Sequence, residues 1–394
     1  MPSRRTFILQ TAAGSAAAMA GIRLAHATQG VSKDEIVIGS IQDLSGPIAV
    51  LGRYVQNGMI LRVESINAAG GIHGRKLKLI VEDSSYDPKK SVLAAQKLVT
   101  QNRIFAMIGT LGSPTTLASM PVVLEKNVLH LFPVSAHSAT YEPFNKLKFS
   151  TAIPYPLSTR IGVQQMLKMK GYKRVAILYQ DDEYGVDVLK GAEEALKAAG
   201  LSLVEKTSYK RGATEFSTQM QKINAANPDL IVLATIVRET LGAIGAARQL
   251  GYKGDFLGSE AVHQPTVAKV GGKLVEGLYA LNGTPAPYRG LPGNPKALED
   301  WIESYKSRFG EDPDVYAVGG WMGVDIFAKA AEKAGPNLNN DTLVQALETH
   351  PYPRGFLGNQ EIAWSPTKRV GPDKVRIAQI QDGKWLGVTD FIGL

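Results

Sequence analysis

Cysteine is absent from all 394 residues. This chain can therefore build no disulfide framework, thiolate metal site or thiol nucleophile. The absence assigns no compartment, because a chain of this length can bury a large enough core to do without disulfides even when exported. Catalytic signatures are missing too: there is no G-x-S-x-G elbow, no H-E-x-x-H and no G-x-x-x-x-G-K-[ST] loop. The histidines (His26, His73, His130, His137, His263 and His350) show no metal-ligand spacing. No G-x-G-x-x-G follows the first strand-like run, which argues against a dinucleotide. No metal or other cofactor is expected. Glu82-Asp83 could pair as carboxylates, but they also suit an ordinary solvated strand end.

Charge is modest. The formal net charge is +8, and Arg4, Arg5 and Arg23 in the first 27 residues leave +5 on the remainder. The other basic residues are scattered, so nucleic acid is not an expected partner. At 44% hydrophobic and 20% charged residues the composition is that of a globular protein. The length predicts two domains.

The N-terminus reads as an address. Ser3-Arg4-Arg5-Thr6-Phe7-Ile8-Leu9 has the form of a twin-arginine export signal, with Arg4 and Arg5 as its pair. A weakly apolar stretch follows, and Ala25-His26-Ala27 offers a small-x-small cleavage site before Thr28. Arg23 interrupts the run too early for a membrane anchor, and no later stretch is apolar enough to span a membrane. These features predict export to the periplasm, with 1–27 as signal peptide.

After residue 28, short β-branched runs alternate with amphipathic ones. Strands are expected at 35–41, 76–81, 104–108 and 128–132, with helices over 53–68, from Asp87-Pro88 and over 116–126. Two prolines near 149–156 interrupt the pattern, which restarts with strands at 174–179, 201–207, 230–235 and 256–258. Helices at 184–199, around 216–223 and at 239–250 separate them. Residues 278–295 read as a loop. Helices at 296–309, 316–334 and 341–348 follow, then strands near 361–363 and 375–380 with a turn at Asp382-Gly383. The fold class is α/β: two doubly wound parallel-sheet lobes joined by several crossings, with a cleft between them. The expected partition is 28–152 plus 282–360 for lobe one, and 153–281 plus 361–394 for lobe two.

Parallel sheets bind ligands at the carboxyl ends of their strands. At one such end, Gly109-Thr110-Leu111-Gly112-Ser113-Pro114-Thr115-Thr116 joins a strand to a helix N-terminus, a favourable place for a carboxylate or phosphate. Ser113 could bond a ligand carboxylate or simply cap the helix. Val134, Ser135 and Ala136 lie at the next strand end, where Val134 and Ala136 offer only main-chain groups. Tyr184 could cover a ligand from lobe two or be a turn residue. Glu260 could balance an ammonium or be a solvated loop acid.

Several motifs follow one another in a familiar order: Leu44-Ser45-Gly46-Pro47, Asn67-Ala68-Ala69-Gly70-Gly71-Ile72-His73-Gly74-Arg75-Lys76-Leu77, Tyr86-Asp87-Pro88, Ile108-Gly109, Tyr184-Gly185 and Phe256-Leu257-Gly258-Ser259-Glu260. On these the chain resembles, nearly end to end, the leucine/isoleucine/valine-binding periplasmic proteins of the type I solute-binding fold. The resemblance implies a non-catalytic, monomeric binding protein that closes like a hinge on a small ligand and delivers it to an ABC permease. It implies that Ser113, with the main chain of Val134 and Ala136, holds the ligand's carboxylate and amino ends. Glu260 would receive the ammonium, and Tyr184 would supply an aromatic contact. The departures are Leu51 and Ile236 where branched-chain binders carry aromatics, and Ala136 for a threonine. Tyr86 and Gly112 stand where the family has a cysteine pair. Arg238 could meet a second acidic group or remain solvated. An aliphatic amino acid is the first expectation. An aromatic carboxylate or amide is next, and a secreted enzyme on the same scaffold is the remaining alternative.

Overall fold

The computed structural model describes residues 28–394, so the expected signal with Arg4 and Arg5 lies outside the described residues. The first sheet holds β1 (Glu35–Gln42), β2 (Lys76–Asp83), β3 (Ala106–Ile108), β4 (Leu129–Leu131) and β5 (Lys148–Phe149). All are parallel, in the order β2-β1-β3-β4-β5. Its central strands are apolar on both faces, as a sheet covered by helices on either side requires.

The first helix, α1 (Ala49–Ala68), begins four residues before the expected start. The Asp43 carboxylate accepts from the backbone N–H groups of Ser45, Gly46 and Ile48, tying the turn to the end of β1. The helix can therefore start directly after Gly46-Pro47. Asp87 caps α2 (Pro88–Gln96), accepting from Lys90 N at 2.9 Å, with Pro88 in the first turn. Next comes α3 (Ser113–Glu125), which starts at Ser113 itself, with Gly112 at φ +87° in the cap position. Ser113 is thus inside the helix and is not its cap.

The second sheet runs β12-β11-β10-β9-β8-β6-β7. It is reached through α4 (Tyr155–Lys170), followed by β6 (Val175–Gln180), α5 (Glu183–Ala198), β7 (Leu203–Tyr209), α6 (Ser217–Ala225), β8 (Leu230–Ala234), α7 (Val237–Gln249), β9 (Asp255–Gly258), α8 (Pro265–Gly271) and β10 (Tyr279–Asn282). The helices α9 (Lys296–Phe309), α10 (Val315–Ala334) and α11 (Asn340–Thr349) follow. The hairpin β11 (Arg376–Gln381) and β12 (Lys384–Gly387) then adds the antiparallel edge beside β10.

Three expectations need correcting. The proline pair near 154–156 does not interrupt structure, since Pro156 occupies the first turn of α4, where a missing N–H is harmless. Residues 279–282 are no loop; β10 is a buried strand between Gly277 and Gly283. Residues 361–363 form no strand, only a single bridge between Ile362 and Tyr352.

The chain crosses between the sheets three times: after β5, after β10 and before β11. The helices sent back by the second crossing pack on the first sheet. Close approach of α10 to α1 depends on glycine, because a Cβ at Gly58 would lie 2.0 Å from Ala317 O, and one at Gly320 would lie 2.1 Å from Val55 O. Buried Asp325 of α10 meets Arg62 of α1 at 2.6 Å. The third crossing lies along the first: Ser150 N–H donates to Arg369 O at 2.8 Å, and Ser150 O accepts from Gly371 N and Trp364 Nε1, each at 3.0 Å.

Tyr86 and Gly112 are in contact, because a Cβ at Gly112 would lie 2.5 Å from the Tyr86 ring. With positive φ and no room for a methyl, Gly112→Ala should lower unfolding free energy by about 1–3 kcal/mol. Urea denaturation will measure this, and an unchanged midpoint would mean that the Tyr86 ring moves aside freely.

Candidate functional site

The carboxyl ends of both sheets face one another across a cavity of about 180 Å³. That is below the ~300–1,000 Å³ of pockets that take drug-sized ligands, and fits one small metabolite. Lobe one contributes the loop after β4, with Val134, Ser135 and Ala136, and the start of α10, with Val315, Tyr316, Gly319 and Met322. The loop after β9 adds Glu260, Ala261 and His263. All three crossings complete the wall, the first through Thr151, Ala152, Ile153 and Tyr155, the second through Asn282, Gly283 and Thr284, and the third through Asn359, Gln360 and Ile362.

The anchoring of these loops decides what each can offer. Val134 N–H donates to Thr110 O at 2.9 Å, and Val134 O accepts from Gly112 N at 3.0 Å, so its main chain is committed to the opening turn. Ala136 O accepts from Tyr155 N at 2.9 Å, fixing the loop to the start of α4. The hydroxyls of Ser113 and Ser135 are 2.8 Å apart. Ser113 therefore stands one side chain behind the wall, and Ser135 is the hydroxyl facing the cavity.

Glu260 is the unusual group. Its Oε1 is shielded from solvent and has no hydrogen-bond partner, and burial pushes the carboxyl up to about 8. No cation offsets the desolvation, which is the only cause of the shift. By contrast, Asn359 in the same wall is satisfied: its Oδ1 accepts from Gly355 N, and its Nδ2 donates to Pro353 O and Gln360 O.

The remaining expected residues are not in the cavity wall. Tyr184 is buried, with its hydroxyl 3.0 Å from Thr235 O and 2.6 Å from Ser259 Oγ. Its ring meets Tyr155 edge to face at 5.0 Å, so it supports a wall residue. Leu51 is buried within α1, and Ile236 precedes α7. Arg238 is half exposed and pairs with Glu239 at 2.8 Å. Sequence reasoning missed Tyr155, Tyr316, His263 and Asn282. Only Tyr155, beside a proline at a helix start, carried a local signal.

Outside the cavity the lobes touch directly. The Arg211 guanidinium lies 5.2 Å above the Tyr86 ring and donates to Tyr86 O at 3.2 Å. Asp187 accepts from Ser138 N at 2.8 Å and Ser138 Oγ at 3.2 Å. Asp314, which burial pushes up to about 6, accepts from Thr266 Oγ1 at 3.2 Å.

Two facing α/β lobes, three crossings and a cavity between them whose wall carries an acid with one shielded, unpartnered oxygen suit a small solute. The sequence model described as periplasmic binding protein matches residues 35–384. The chain belongs to that family. Leu/Ile/Val-binding protein homolog 7 of Brucella abortus is 27% identical over 314 residues, 76% of this chain and 77% of that protein. A branched-chain amino acid ABC transporter protein from Thermus thermophilus with bound valine superposes with TM-score 0.82 at 17% identity, covering 92% of this chain and 98% of that one. A solute-binding protein of an ABC transporter from R. palustris in complex with benzoate does so with TM-score 0.79 at 18% identity, covering 91% and 98%.

The Glu260 shift makes a prediction about the ligand-free protein. Its folded pKa is about 8 and its unperturbed value 4.5. Between those limits the native state holds more protons than the unfolded chain, so stability falls as pH rises, approaching ~1.4 kcal/mol per pH unit. Glu260→Gln should abolish this slope, measured as urea unfolding from pH 5 to 8. Buried His130 and His263, pushed down to about 4 and about 3, act in the opposite sense at the acidic end, and Asp314, pushed up to about 6, acts in the same sense there, but all three are common to both proteins. Equal slopes in the two proteins would disprove the assignment.

Proposed function

We propose that this protein is the extracytoplasmic solute-binding component of an ABC importer, and that it binds an amino acid of branched-chain type. The observation that carries the reading is the cavity between the lobes, with Glu260 and its unpartnered oxygen in the wall. A ligand ammonium is the group that a desolvated carboxylate lacks, and the charge-assisted bond would recover the desolvation loss. Ala136, Ile153, Met322 and Ile362 provide an apolar lining for an aliphatic side chain. Ser135, backed by Ser113, is the candidate for the ligand carboxylate. The Brucella relative's name and the valine bound by the Thermus protein support this class.

In this reading 28–152 with 282–360 and 153–281 with 361–394 move as two bodies and close on the ligand, shifting an open–closed equilibrium by differential affinity. The Arg211–Tyr86 and Asp187–Ser138 contacts would then hold the closed form. A permease in the inner membrane is the partner, a monomer the working form and the periplasm the location. The Arg4-Arg5 leader is the proposed route of export. Catalysis forms no part of this reading.

A second reading rests on two tyrosines, Tyr155 and Tyr316, in the wall and on the benzoate of the R. palustris neighbour. A protonated Glu260 would donate to an aromatic carboxylate where an ionised one would attract an ammonium. The sign of the pH dependence separates the two. An ammonium ligand requires ionised Glu260, so its affinity should rise about tenfold per pH unit up to about 8 and then level off. A carboxylate held by neutral Glu260 should bind evenly below about 7 and weaken above 8. A thermal-shift screen of amino acids, amides and aromatic acids identifies the ligand, and calorimetry at several pH values gives the sign. No response to any of these compounds would refute both readings.

A further inference from the structure

Glu260 has a neighbour in the same condition. Asn282, the last residue of β10, is 4% exposed and lines the same cavity, and its Oδ1 has no hydrogen-bond partner. Buried polar atoms without partners are few in folded proteins, so two such acceptors on residues lining one cavity call for an explanation. The sheet accounts for their placement. Strand β10 runs parallel to β9 with Ala280 beside Gly258, and Asn282 and Glu260 each stand two residues further on. Asn282 thus ends β10, while Glu260 lies in the turn just beyond the end of β9. The unpartnered Oε1 shows that the amide does not donate to it. What both oxygens lack is a hydrogen-bond donor.

We propose that Asn282 is a ligand-contacting, specificity-determining residue that accepts a hydrogen bond from the same primary ammonium that Glu260 receives. This rests on the amino-acid reading above and deepens it. A primary ammonium carries three N–H donors, and two acceptors in one cavity wall would use two of them. The pair would select a primary amine over an N-alkylated or amine-free analogue, because removing one donor leaves a buried acceptor unpaired. Asn359, whose amide is fully engaged by backbone groups, has no such capacity although it lines the same cavity. Turned over, the Asn282 amide would instead present N–H donors to a ligand oxygen, so acceptor and donor roles must be distinguished.

The test screens the mature protein against the L-amino acids, their N-methyl derivatives, isobutyrate and benzoate. The tightest compound is then titrated into wild type, Asn282→Leu, Asn282→Asp and Glu260→Gln at about pH 8.5. The proposal expects a primary amine to bind best and its N-methyl derivative more weakly. Asn282→Leu should lose at least roughly tenfold in affinity with an unchanged circular dichroism spectrum. Asn282→Asp, which keeps an acceptor, should stay within about threefold of wild type. If Glu260→Gln weakens binding while Asn282→Leu does not, the assignment of Asn282 fails and the amino-acid reading stands. If Asn282→Asp loses as much as Asn282→Leu, the amide acts as a donor and the proposal is overturned. A best ligand without an amine overturns it in favour of the carboxylate reading. Absence of binding by every compound defeats the functional reading and the proposal together.

Discussion

Parallel strands deliver their carboxyl ends to a single edge of a sheet, and the site described here follows from two such edges being turned toward each other. Each edge carries short loops held by main-chain bonds, as where Val134 pairs with Thr110 and Gly112. The cavity lies between these edges. In that space one carboxyl group, Glu260, is desolvated with nothing to compensate it. A fold left to maximise its own stability would have no reason to keep an uncompensated acid there. In the proposed function, a ligand ammonium would complete the bond that this acid lacks.

Contacts between the lobes divide into two groups. On one side of the cleft are side-chain contacts across open loops, such as Arg211 over Tyr86 and Ser138 on Asp187. On the other side the crossings bond to one another through their main chains. The cavity adjoins the second group and includes residues from all three crossings. This explains why Leu51, Ile236 and Tyr184 are not in its wall. Tyr184 spends its hydroxyl on Thr235 and Ser259 and its ring on Tyr155, so the space that is left opens toward the crossings.

Much of the architecture could be read from the chain alone because parallel sheets buried on both faces leave an unmistakable trace: short β-branched runs spaced by amphipathic helices. The helix α4 was hidden because Tyr155-Pro156 looks like a break when it is a first turn. Strand β10 was hidden because it is only four residues long and lies between glycines. Within the site, the strand-end rule pointed to 134–136 and to Glu260. It could not point to Asn282, since nothing local marks an asparagine at the end of a brief strand. Nor could it show that Ser113 would stand behind Ser135, because that depends on where the helix begins by a margin of one residue. Position along a strand is written locally. The company a residue keeps across two crossings is not.

The bond between Ser150 and the 369–371 segment has a wider consequence. The main-chain part of this link uses amide and carbonyl groups that every residue except proline can supply. The ligand-facing groups, in contrast, are particular side chains that substitution can change one at a time. Mechanical coupling and chemical choice are thereby encoded in different parts of the covalent structure. The Thermus protein with bound valine and the R. palustris protein with bound benzoate, at 17% and 18% identity, share this architecture around chemically different solutes.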